Sequence, residues 1–408
     1  MWTRHSGWPG SSATPVADRS YDIVVFGATG FTGALTAEYL AAHAPPETRW
    51  ALAGRNMGKL EQVRARLGSG SSEVPLLRAD VTDVDSVRSV AEATRVVITT
   101  VGPYIRYGEP LVAACAAAGT DYVDLTGEPE FVDRMWLDYH EQAAASGARI
   151  VHSCGFDSIP YDLGAQFTVE QLPEGVPISL EGFVRAGGTF SGGTYQSTIE
   201  ILSRLRQGVA VARERRSREP RPPERRVRGV SGMPHRDDFA GGWVVPAPTI
   251  DPQTVLRSAR ALERYGPDFS YSHYLVAKRL PTVVGLAGGA AGLAALAQIP
   301  PARKLLLGLK SSGAGPSAEQ REKAWFRVRF RARSGSDSGS REVRTQVSGG
   351  DPGYGETSKM LGESALCLAF DELPARSGQL TPAVAMGDAL RRRLVAAGIK
   401  FEVLDGGI

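Results

Sequence analysis

The sequence predicts an α/β protein in which an N-terminal, Rossmann-like, doubly wound parallel sheet is followed by a second α+β domain and a C-terminal return to the first. Three observations predict this fold. Six β/α units alternate over roughly the first 155 residues. The first of them is a short apolar run at 23–26 that passes through a glycine turn into a helical pattern. Beyond residue 175 the strict alternation stops, as is typical of an α+β domain.

The chain of 408 residues is long enough for two or three domains. We predict a dinucleotide-binding domain at 21–160, a substrate or partner domain at 161–375, and a helix and strand at 376–408 that return to the first domain. Residues 1–20 are rich in Ser, Gly and Pro and contain no apolar core segment, so we interpret them as a flexible leader and not as a secretory signal.

Composition excludes several classes of protein. The formal net charge is only +3, and it therefore gives no argument for binding nucleic acid. The three cysteines, Cys115, Cys154 and Cys367, form no C-x-x-C pair, and the six histidines form no H-x-x-x-H pair. We therefore expect neither a disulfide framework nor a metal site, and the cysteine usage fits a reducing cytosol. The sequence does not indicate an oligomeric state.

The glycine turn is the strongest single motif. Gly27, Gly30 and Gly33 follow the first strand with the spacing G-x-x-G-x-x-G, a variant of the dinucleotide fingerprint, and a helix begins within the motif. Such a turn allows the backbone to approach a pyrophosphate, whose charge is favoured at the helix N-terminus. The alternative is a purely structural turn. We predict dinucleotide binding by Gly27, Thr29, Gly30, Phe31, Thr32 and Gly33.

The second and third strands suggest which dinucleotide is bound. The second, at 49–53, is followed by Gly54 and Arg55 where an acidic residue would hold a ribose 2′-hydroxyl, and Lys59 lies one helical turn further on. A guanidinium suits a 2′-phosphate, so we predict NADP in preference to NAD, although Arg55 could instead cap a helix at the surface. Asp80 closes the third strand, either beside the adenine or as a cap of the next helix.

The fourth strand, at 96–101, ends in Gly102 and Pro103, which we expect to border the nicotinamide because ligands bind outside the carboxyl ends of parallel strands. The fifth and sixth strands are predicted at 121–125 and 148–152. A further strand at 178–186 and an amphipathic helix at 194–207 begin the second domain, and strands at 325–333 and 342–348 complete its sheet. Helices are predicted at 356–370 and from 382 to 397, and a last strand at 401–404 is expected to return to the first domain.

Two segments of the second domain have more than one interpretation. The stretch 204–236 is crowded with arginine and proline, and is either a solvated linker or a docking surface for an acidic partner or anionic head groups. The tract 281–300 is apolar, but it is shorter than a bilayer span, and its glycines lower its hydrophobicity. It is either a buried helix or helical hairpin, or a segment that contacts a membrane or a lipid chain.

Several local motifs together resemble those of the saccharopine dehydrogenase-like oxidoreductases, and within that group those of the actinobacterial trans-acting enoyl reductases. The resemblance covers nearly the whole chain from residue 21. It rests on the motifs at 27–33, 53–56, 101–104, 122–128, 155–160, 191–194 and 381–383.

The resemblance implies a reductase of cell-envelope lipid synthesis, as in phthiocerol dimycocerosate and phenolic glycolipid assembly. Its substrate would be an α,β-unsaturated acyl chain on an acyl carrier domain of a polyketide synthase. The implied location is the cytoplasm, or the inner face of the plasma membrane. An amino-acid dehydrogenase of the saccharopine type and a non-catalytic cofactor-binding scaffold at the membrane remain alternatives.

Enoyl reduction requires an oxyanion partner and a proton donor near the nicotinamide. We predict Tyr104 as a donor to the thioester carbonyl, with a ring that packs under the cofactor as the alternative. His152 and Asp157 flank the exit of the sixth strand and are candidate acids. A structural histidine and a helix-capping aspartate are the corresponding alternatives.

Overall fold

The computed structural model describes residues 18–68, 73–188, 192–247, 249–308, 315–335 and 341–404, so most of the predicted leader lies outside the described residues. The strands are β1 Tyr21–Phe26, β2 Trp50–Gly54, β3 Leu76–Arg78, β4 Thr94–Thr99, β5 Asp121–Asp124, β6 Arg149–Val151, β7 Ile178–Gly187, β8 Arg226–Gly229, β9 His235–Asp237, β10 Gly242–Pro246, β11 Asp268–Ala277, β12 Trp325–Ser334, β13 Arg341–Gly349, β14 Gly378–Leu380 and β15 Lys400–Val403.

The helices connect these strands and cover both sheets. They are α1 Phe31–His43, α2 Met57–Arg66, α3 Val84–Ala93, α4 Tyr104–Tyr107, α5 Glu109–Ala118, α6 Pro129–Ser146, α7 Ile159–Val169, α8 Gly192–Ser203, α9 Leu205–Arg218, α10 Asp251–Ala261, α11 Leu280–Ala297, α12 Pro300–Gly308, α13 Ala318–Glu322, α14 Gly355–Phe370, α15 Pro382–Ala385 and α16 Gly387–Ala396. A short 3-10 helix follows α10 at Glu263–Tyr265.

The first sheet confirms the predicted parallel, doubly wound architecture. Its seven strands lie in the order β14-β6-β5-β4-β1-β2-β3, and all their pairings are parallel. The apolar residues of β1 and β4 are buried on both faces of the sheet, which explains their continuous β-branched sequences. Strands β2 and β3 lie on one side of β1, and β4, β5 and β6 lie on the other. The strand order therefore reverses between β1 and β4, and such a switch point is where open parallel sheets bind ligands.

The C-terminal return to this sheet is made by α14 and β14. Helix α14 is buried over most of its length and packs against α1, β4 and β5, while β14 pairs with β6. The prediction that the last strand joins the first domain is wrong, because β15 pairs antiparallel with β13 in the second sheet. The edge of β6 is already occupied by β14, and β15 instead extends the other sheet.

The second sheet is mixed, with the order β15-β13-β12-β7-β11-β10-β9, and β8 pairs with β11. Helix α7 leaves the end of β6 and lies against β12 and β13 of this sheet. Gly164 permits that contact, since a Cβ atom at this position would overlap the ring of Phe330. The helix that starts at the carboxyl edge of the first sheet is thus packed directly on the second.

The stretch 204–236 is not a linker. It contains helix α9 and strand β8, and two of its arginines bind carboxylates of α6. Arg204 forms a salt bridge with Glu130, and the buried Arg215 forms one with Asp133. Arg204 and Arg215 are about three helical turns apart, so both side chains point to the same neighbour. Ion pairing with α6 therefore orders a segment whose composition alone resembles that of a connector.

The apolar tract forms two consecutive helices, α11 and α12, of which α11 packs on α8. It is not a buried hairpin, because Leu280, Leu296, Ile299 and Leu305 are exposed to between 44% and 69%. Within the ranges that the structure describes, no helix combines the length and the hydrophobicity needed to cross a bilayer.

Candidate active site

The three glycines of the turn after β1 have different structural roles. Gly27 adopts a φ of +87°, which a side chain would strain. At Gly33 a Cβ atom would overlap the carbonyl oxygen of Gly27, so this glycine is required for α1 to pack on the turn. At Gly30 the nearest atom to a Cβ would be that same oxygen at 3.4 Å, and apart from its chain neighbours no other heavy atom of the described residues lies within 4 Å. The middle glycine therefore borders open space.

The N-terminus of α1 is suited to a diphosphate. Gly30 is its N-cap and supplies no side-chain cap, and the first turn of the helix contains no acidic residue. The N–H groups of that turn have no acceptors within the helix, and the helix dipole favours an anion there. The residues present therefore fit the predicted dinucleotide.

The side chains of the turn point in different directions. Thr29 is exposed beside the open space at Gly30. Phe31 packs edge-on against Tyr354 with ring centroids 4.7 Å apart, and its ring also contacts the guanidinium of Arg321. The carbonyl oxygen of Thr32 accepts a hydrogen bond from the hydroxyl of Thr36. The ring of Phe31 thus connects α1 to the second half of the chain.

Arg55 and Asp80 lie at the carboxyl ends of β2 and β3. Arg55 is exposed, and helix α2 is capped not by Arg55 but by Asn56, which accepts the N–H of Lys59 at 3.0 Å. The pKa of Asp80 is lowered, first by the hydrogen bonds from the N–H and hydroxyl groups of Thr82 and also by the charge of Arg55. Asp83, and not Asp80, caps α3. Arg55 is therefore available to a ligand on this side of the turn.

The turn after β4 is joined to the second half of the chain through Glu128. Its carboxylate accepts the N–H groups of Tyr104 at 3.0 Å and Ile105 at 2.8 Å, and the hydroxyl of Ser197 on α8 at 2.8 Å. Burial raises the pKa of Glu128, although these hydrogen bonds favour its ionised form. The preceding Gly102 is exposed and Pro103, joined to it by a cis peptide bond, caps α4.

Tyr104 is not placed to bind a substrate carbonyl. Its ring is buried against Phe131, and its hydroxyl donates to the carbonyl oxygen of Thr99 at 3.1 Å. The same hydroxyl accepts the N–H of Leu125 at 3.2 Å. Both hydrogen-bonding capacities of the phenol are used to join the ends of β4 and β5, which favours the packing alternative over the predicted oxyanion partner.

His152 is held by Asp124, the last residue of β5. The Nδ1 atom of His152 lies 2.7 Å from Oδ2 of Asp124, which also accepts the hydroxyl of Tyr122. Oδ1 of Asp124 accepts the N–H groups of Thr126 and Ser153. The imidazole is buried, and its Nε2 atom has no hydrogen-bond partner among the described residues. Asp124 therefore fixes the orientation of the imidazole ring of His152.

Asp157 is partly exposed and lies against the backbone of Gly127 in the turn after β5. Burial, together with the charge of Asp124, raises the pKa of its carboxyl to about 7. It does not cap α7, because the N-cap of that helix is Ser158. A carboxyl group with a pKa of about 7 keeps a substantial protonated fraction at neutral pH, and at the edge of the sheet it is suited to donate a proton.

The structure adds two residues that sequence reasoning missed. The carboxyl of Asp251, at the start of α10, is buried, and burial and the nearby charge of Asp157 raise its pKa well above its ordinary value. His273 on β11 approaches Asp251 at 3.6 Å, and burial lowers the pKa of its imidazole to about 3. Both come from the second half of the chain and belong to no local motif. Asp124 could have been found, because it ends a buried strand.

Cys154 lies beside this cluster but is buried, and burial raises the pKa of its thiol well above its usual range. We therefore assign it a packing role. Across the described ranges, no three His, Cys, Asp or Glu side chains are grouped to hold a metal ion.

Comparison with known families identifies the first domain. Residues 23–151 match the model of the saccharopine dehydrogenase NADP-binding domain. The saccharopine dehydrogenase (L-Glu forming) of Saccharomyces cerevisiae, solved in its apo form, has a similar fold, with a TM-score of 0.57 over 94% of this chain and all of that one. Its sequence is only 13% identical, so this likeness concerns the fold alone.

Curated relatives match nearly the whole chain. A Mycobacterium tuberculosis (strain H37Rv) protein that is provisionally named a trans-acting enoyl reductase is 41% identical, over 96% of this chain and 98% of its own length. The trans-acting enoyl reductase of Mycobacterium ulcerans (strain Agy99) is 37% identical, over 94% of this chain and 97% of its own length. The predicted family and the NADP cofactor are confirmed, and the chain is an NADP-dependent oxidoreductase that belongs to the family of the trans-acting enoyl reductases.

Proposed function

We propose that this oxidoreductase reduces an α,β-unsaturated acyl thioester carried by a separate polyketide synthase, in the synthesis of cell-envelope lipids and glycolipids. The names of its relatives support the reaction. The structural observation that carries the proposal is Asp157, a carboxyl group with a raised pKa at the edge of the sheet where the nicotinamide is expected.

The charges at this edge disfavour an amino-acid substrate of the saccharopine type. The carboxyl groups of Asp124, Glu128, Asp157 and Asp251 surround the turns after β5 and β6. Arg106, a cation close to these turns, is paired with Glu200. These carboxyl groups would not bind the carboxylates of such a substrate, whereas a neutral thioester requires no cation at this edge.

In the proposed reaction, bound NADPH would supply the hydride for the β-carbon of the enoyl chain. Asp157 donates a proton from its carboxyl group to the α-carbon. Asp124 accepts four hydrogen bonds, and its charge adds to the effect of burial in raising the pKa of Asp157. His152, oriented by Asp124, is the second candidate for a proton relay.

The remaining site residues are proposed to hold the cofactor. The N–H groups of Thr29, Phe31, Thr32 and Gly33 would face the diphosphate, with Gly30 leaving room for it. Arg55 would bind the 2′-phosphate, with Asp80 on the adenine side. Gly102 and Pro103 would border the nicotinamide.

We further propose that the carrier domain and a membrane contact the second half of the chain. Arg213, Arg218, Arg226 and Arg228 are exposed and would suit an acidic carrier surface. The exposed leucines of α11 and α12 lie in a segment flanked by Lys278 and Arg279 on one side and containing Arg303 and Lys304 on the other, a combination that favours an anionic lipid surface. In this proposal the protein works in the cytoplasm, at the inner face of the plasma membrane.

Turnover with defined substrates tests the reaction. NADPH oxidation by the purified protein is measured with a carrier-bound enoyl thioester and, separately, with saccharopine. We expect oxidation with the thioester only. Turnover of saccharopine alone would assign the amino-acid reaction, and NADPH binding by fluorescence without any turnover would favour the scaffold.

Exchanging Arg55 for Asp should weaken NADPH binding at least about 10-fold and leave NADH binding nearly unchanged, because only NADPH carries the phosphate that the guanidinium binds. The dissociation constants of both cofactors are measured by fluorescence titration. Arg66→Asp, at the other exposed end of α2, makes the same charge change and should not discriminate between the cofactors. Equal losses for NADPH and NADH in Arg55→Asp would place this residue away from the 2′-phosphate.

Exchanging Asp157 for Asn should lower kcat by about 10²-fold or more, since an amide cannot donate the proton. In the wild type, kcat should fall as the pH rises through about 7, and the variant should lose this pH dependence. Asp162→Asn is the control. Its carboxyl also has a pKa of about 7 but is bound to Ser258 and to the N–H of Ala383, beside the end of the outermost strand β14. An unchanged pH profile in Asp157→Asn would remove Asp157 from the reaction.

The same variant has a thermodynamic signature. Because the pKa of Asp157 is higher in the folded chain than its unfolded value of about 3.9, its contribution to stability is complete below pH 4 and is lost as the pH rises to about 7. Asp157→Asn should therefore unfold at a higher denaturant concentration than the wild type at pH 8 but not at pH 4.

Sedimentation with vesicles tests the membrane contact. The wild type should sediment with vesicles of anionic phospholipid, and Leu305→Asp should reduce the bound fraction several-fold, because it places a charge in the exposed apolar segment. Val395→Asp, at another exposed apolar position on α16, should have no effect. If the wild type stays in the supernatant, the proposed membrane contact is wrong.

A further inference from the structure

A cavity of about 530 Å³ lies beside the site, between the start of α6, the end of α8 and helices α9 and α10. Its lining includes Ile105 and Glu128, which belong to the turns after β4 and β5. The cavity therefore begins at the edge where the nicotinamide is expected. It extends from there along α9 as far as Arg216, which is exposed to solvent.

One wall of the cavity is apolar. It is formed by Ile201, Leu205, Val209 and Leu256. Leu205 is 47% exposed and Val209 is 59% exposed. An apolar wall with this much exposure, inside a cavity, is suited to an apolar ligand.

The two ends of the cavity differ in charge. At the end near Ile105, Glu128 and Glu130 are fully engaged, Glu130 by Arg134 and Arg204. At the other end the lining contains four guanidinium groups but only two carboxylates. The guanidinium groups belong to Arg215, Arg216, Arg257 and Arg260, and the carboxylates to Asp133 and Glu219.

The two carboxylates are already shared among these arginines. Asp133 binds Arg215 and Arg257, and Glu219 binds Arg215 and lies 4.0 Å from Arg260. Arg216 donates to the carbonyl oxygen of Ala212 and pairs with no carboxylate among the described residues. The pKa of Arg260 is lowered, first by burial and then by the positive charges of Arg257, Arg221 and Arg216. This end of the cavity therefore has an excess of positive charge.

We propose that the cavity binds the acylated phosphopantetheine arm of the carrier domain. This inference rests on the proposed function and assigns the substrate subsite. The phosphodiester lies among Arg216, Arg257 and Arg260, and the arm runs along Leu205 and Val209, so that the thioester reaches Ile105 and Glu128. Leu205 and Arg216 are roughly 17 Å apart along the helix, which requires an extended ligand. The excess of positive charge lies at the Arg216 end of the cavity, and this sets the direction of the arm.

Direct binding of two synthetic probes tests the assignment. The probes are an acyl-phosphopantetheine and the matching acyl-pantetheine without phosphate, both with an amide in place of the thioester, and their dissociation constants are measured by calorimetry on the NADP-bound protein. The wild type should bind the phosphorylated probe about 10-fold more tightly or better. Arg216→Glu should reduce the ratio of the two constants to about 1. Arg206→Glu, at an exposed position of α9 that does not line the cavity, should preserve it.

A second variant tests the apolar wall. Val209→Asp should weaken binding of both probes about 10-fold or more, because both carry the arm that contacts this wall, and it should leave the ratio of their two dissociation constants unchanged. Equal affinities of the wild type for both probes, or a ratio that survives Arg216→Glu, would overturn the assignment. Failure of the proposed reaction would be distinguishable. The protein would then not oxidise NADPH with enoyl thioesters, but the ratio of the dissociation constants of the two probes would be as expected. Turnover of enoyl thioesters together with equal affinities for the two probes would refute the cavity assignment but not the proposed reaction.

Discussion

The buried carboxylate of Asp124 is the interaction on which the geometry of the site depends. A carboxylate inside a protein is tolerated only when hydrogen bonds replace its hydration, and Asp124 accepts four, from the side chains of Tyr122 and His152 and from the backbone of Thr126 and Ser153. These bonds fix the turns after β5 and β6 relative to each other. Its charge also opposes ionisation of Asp157. Asp124 thus fixes the shape of the edge and adds to the effect of burial on the pKa of the proposed acid.

The second half of the chain is attached to this edge by contacts that also enclose the ligand space. Glu128 joins the turn after β4 to α8, and Phe31 joins the start of α1 to Tyr354. Helix α9 is held on α6 by arginines bound to Glu130 and Asp133. The two arginines lie at the N-cap and near the C-terminus of α9, and Leu205 and Val209 line the cavity that remains between the helices. The same pairs therefore order the segment and shape the cavity.

The errors of sequence reasoning have identifiable physical causes. Tyr104 follows the strand that is expected to border the nicotinamide, but its hydroxyl donates to Thr99 and accepts from Leu125. No local sequence pattern shows these two hydrogen bonds. The arginine-rich stretch resembles a linker because its counter-charges lie on α6, far away in sequence. The final strand, β15, pairs with β13 because β14 had already occupied the edge of the first sheet, and strand partners depend on competition between edges.

Much of the protein follows from the sequence alone. The glycine spacing, the position of Arg55 and the alternation of strands and helices determine the parallel sheet and the dinucleotide end of the site, because these features depend on neighbours within about one β/α unit. His152 and Asp157 could be predicted as candidate acids for the same reason, since both lie at the exit of the predicted sixth strand. The pKa of Asp157, the proximity of Asp251 and His273, and the cavity along α9 depend on contacts between distant segments. Only the tertiary structure brings those charges into one low-dielectric environment, and it therefore decides which side chains can perform chemistry.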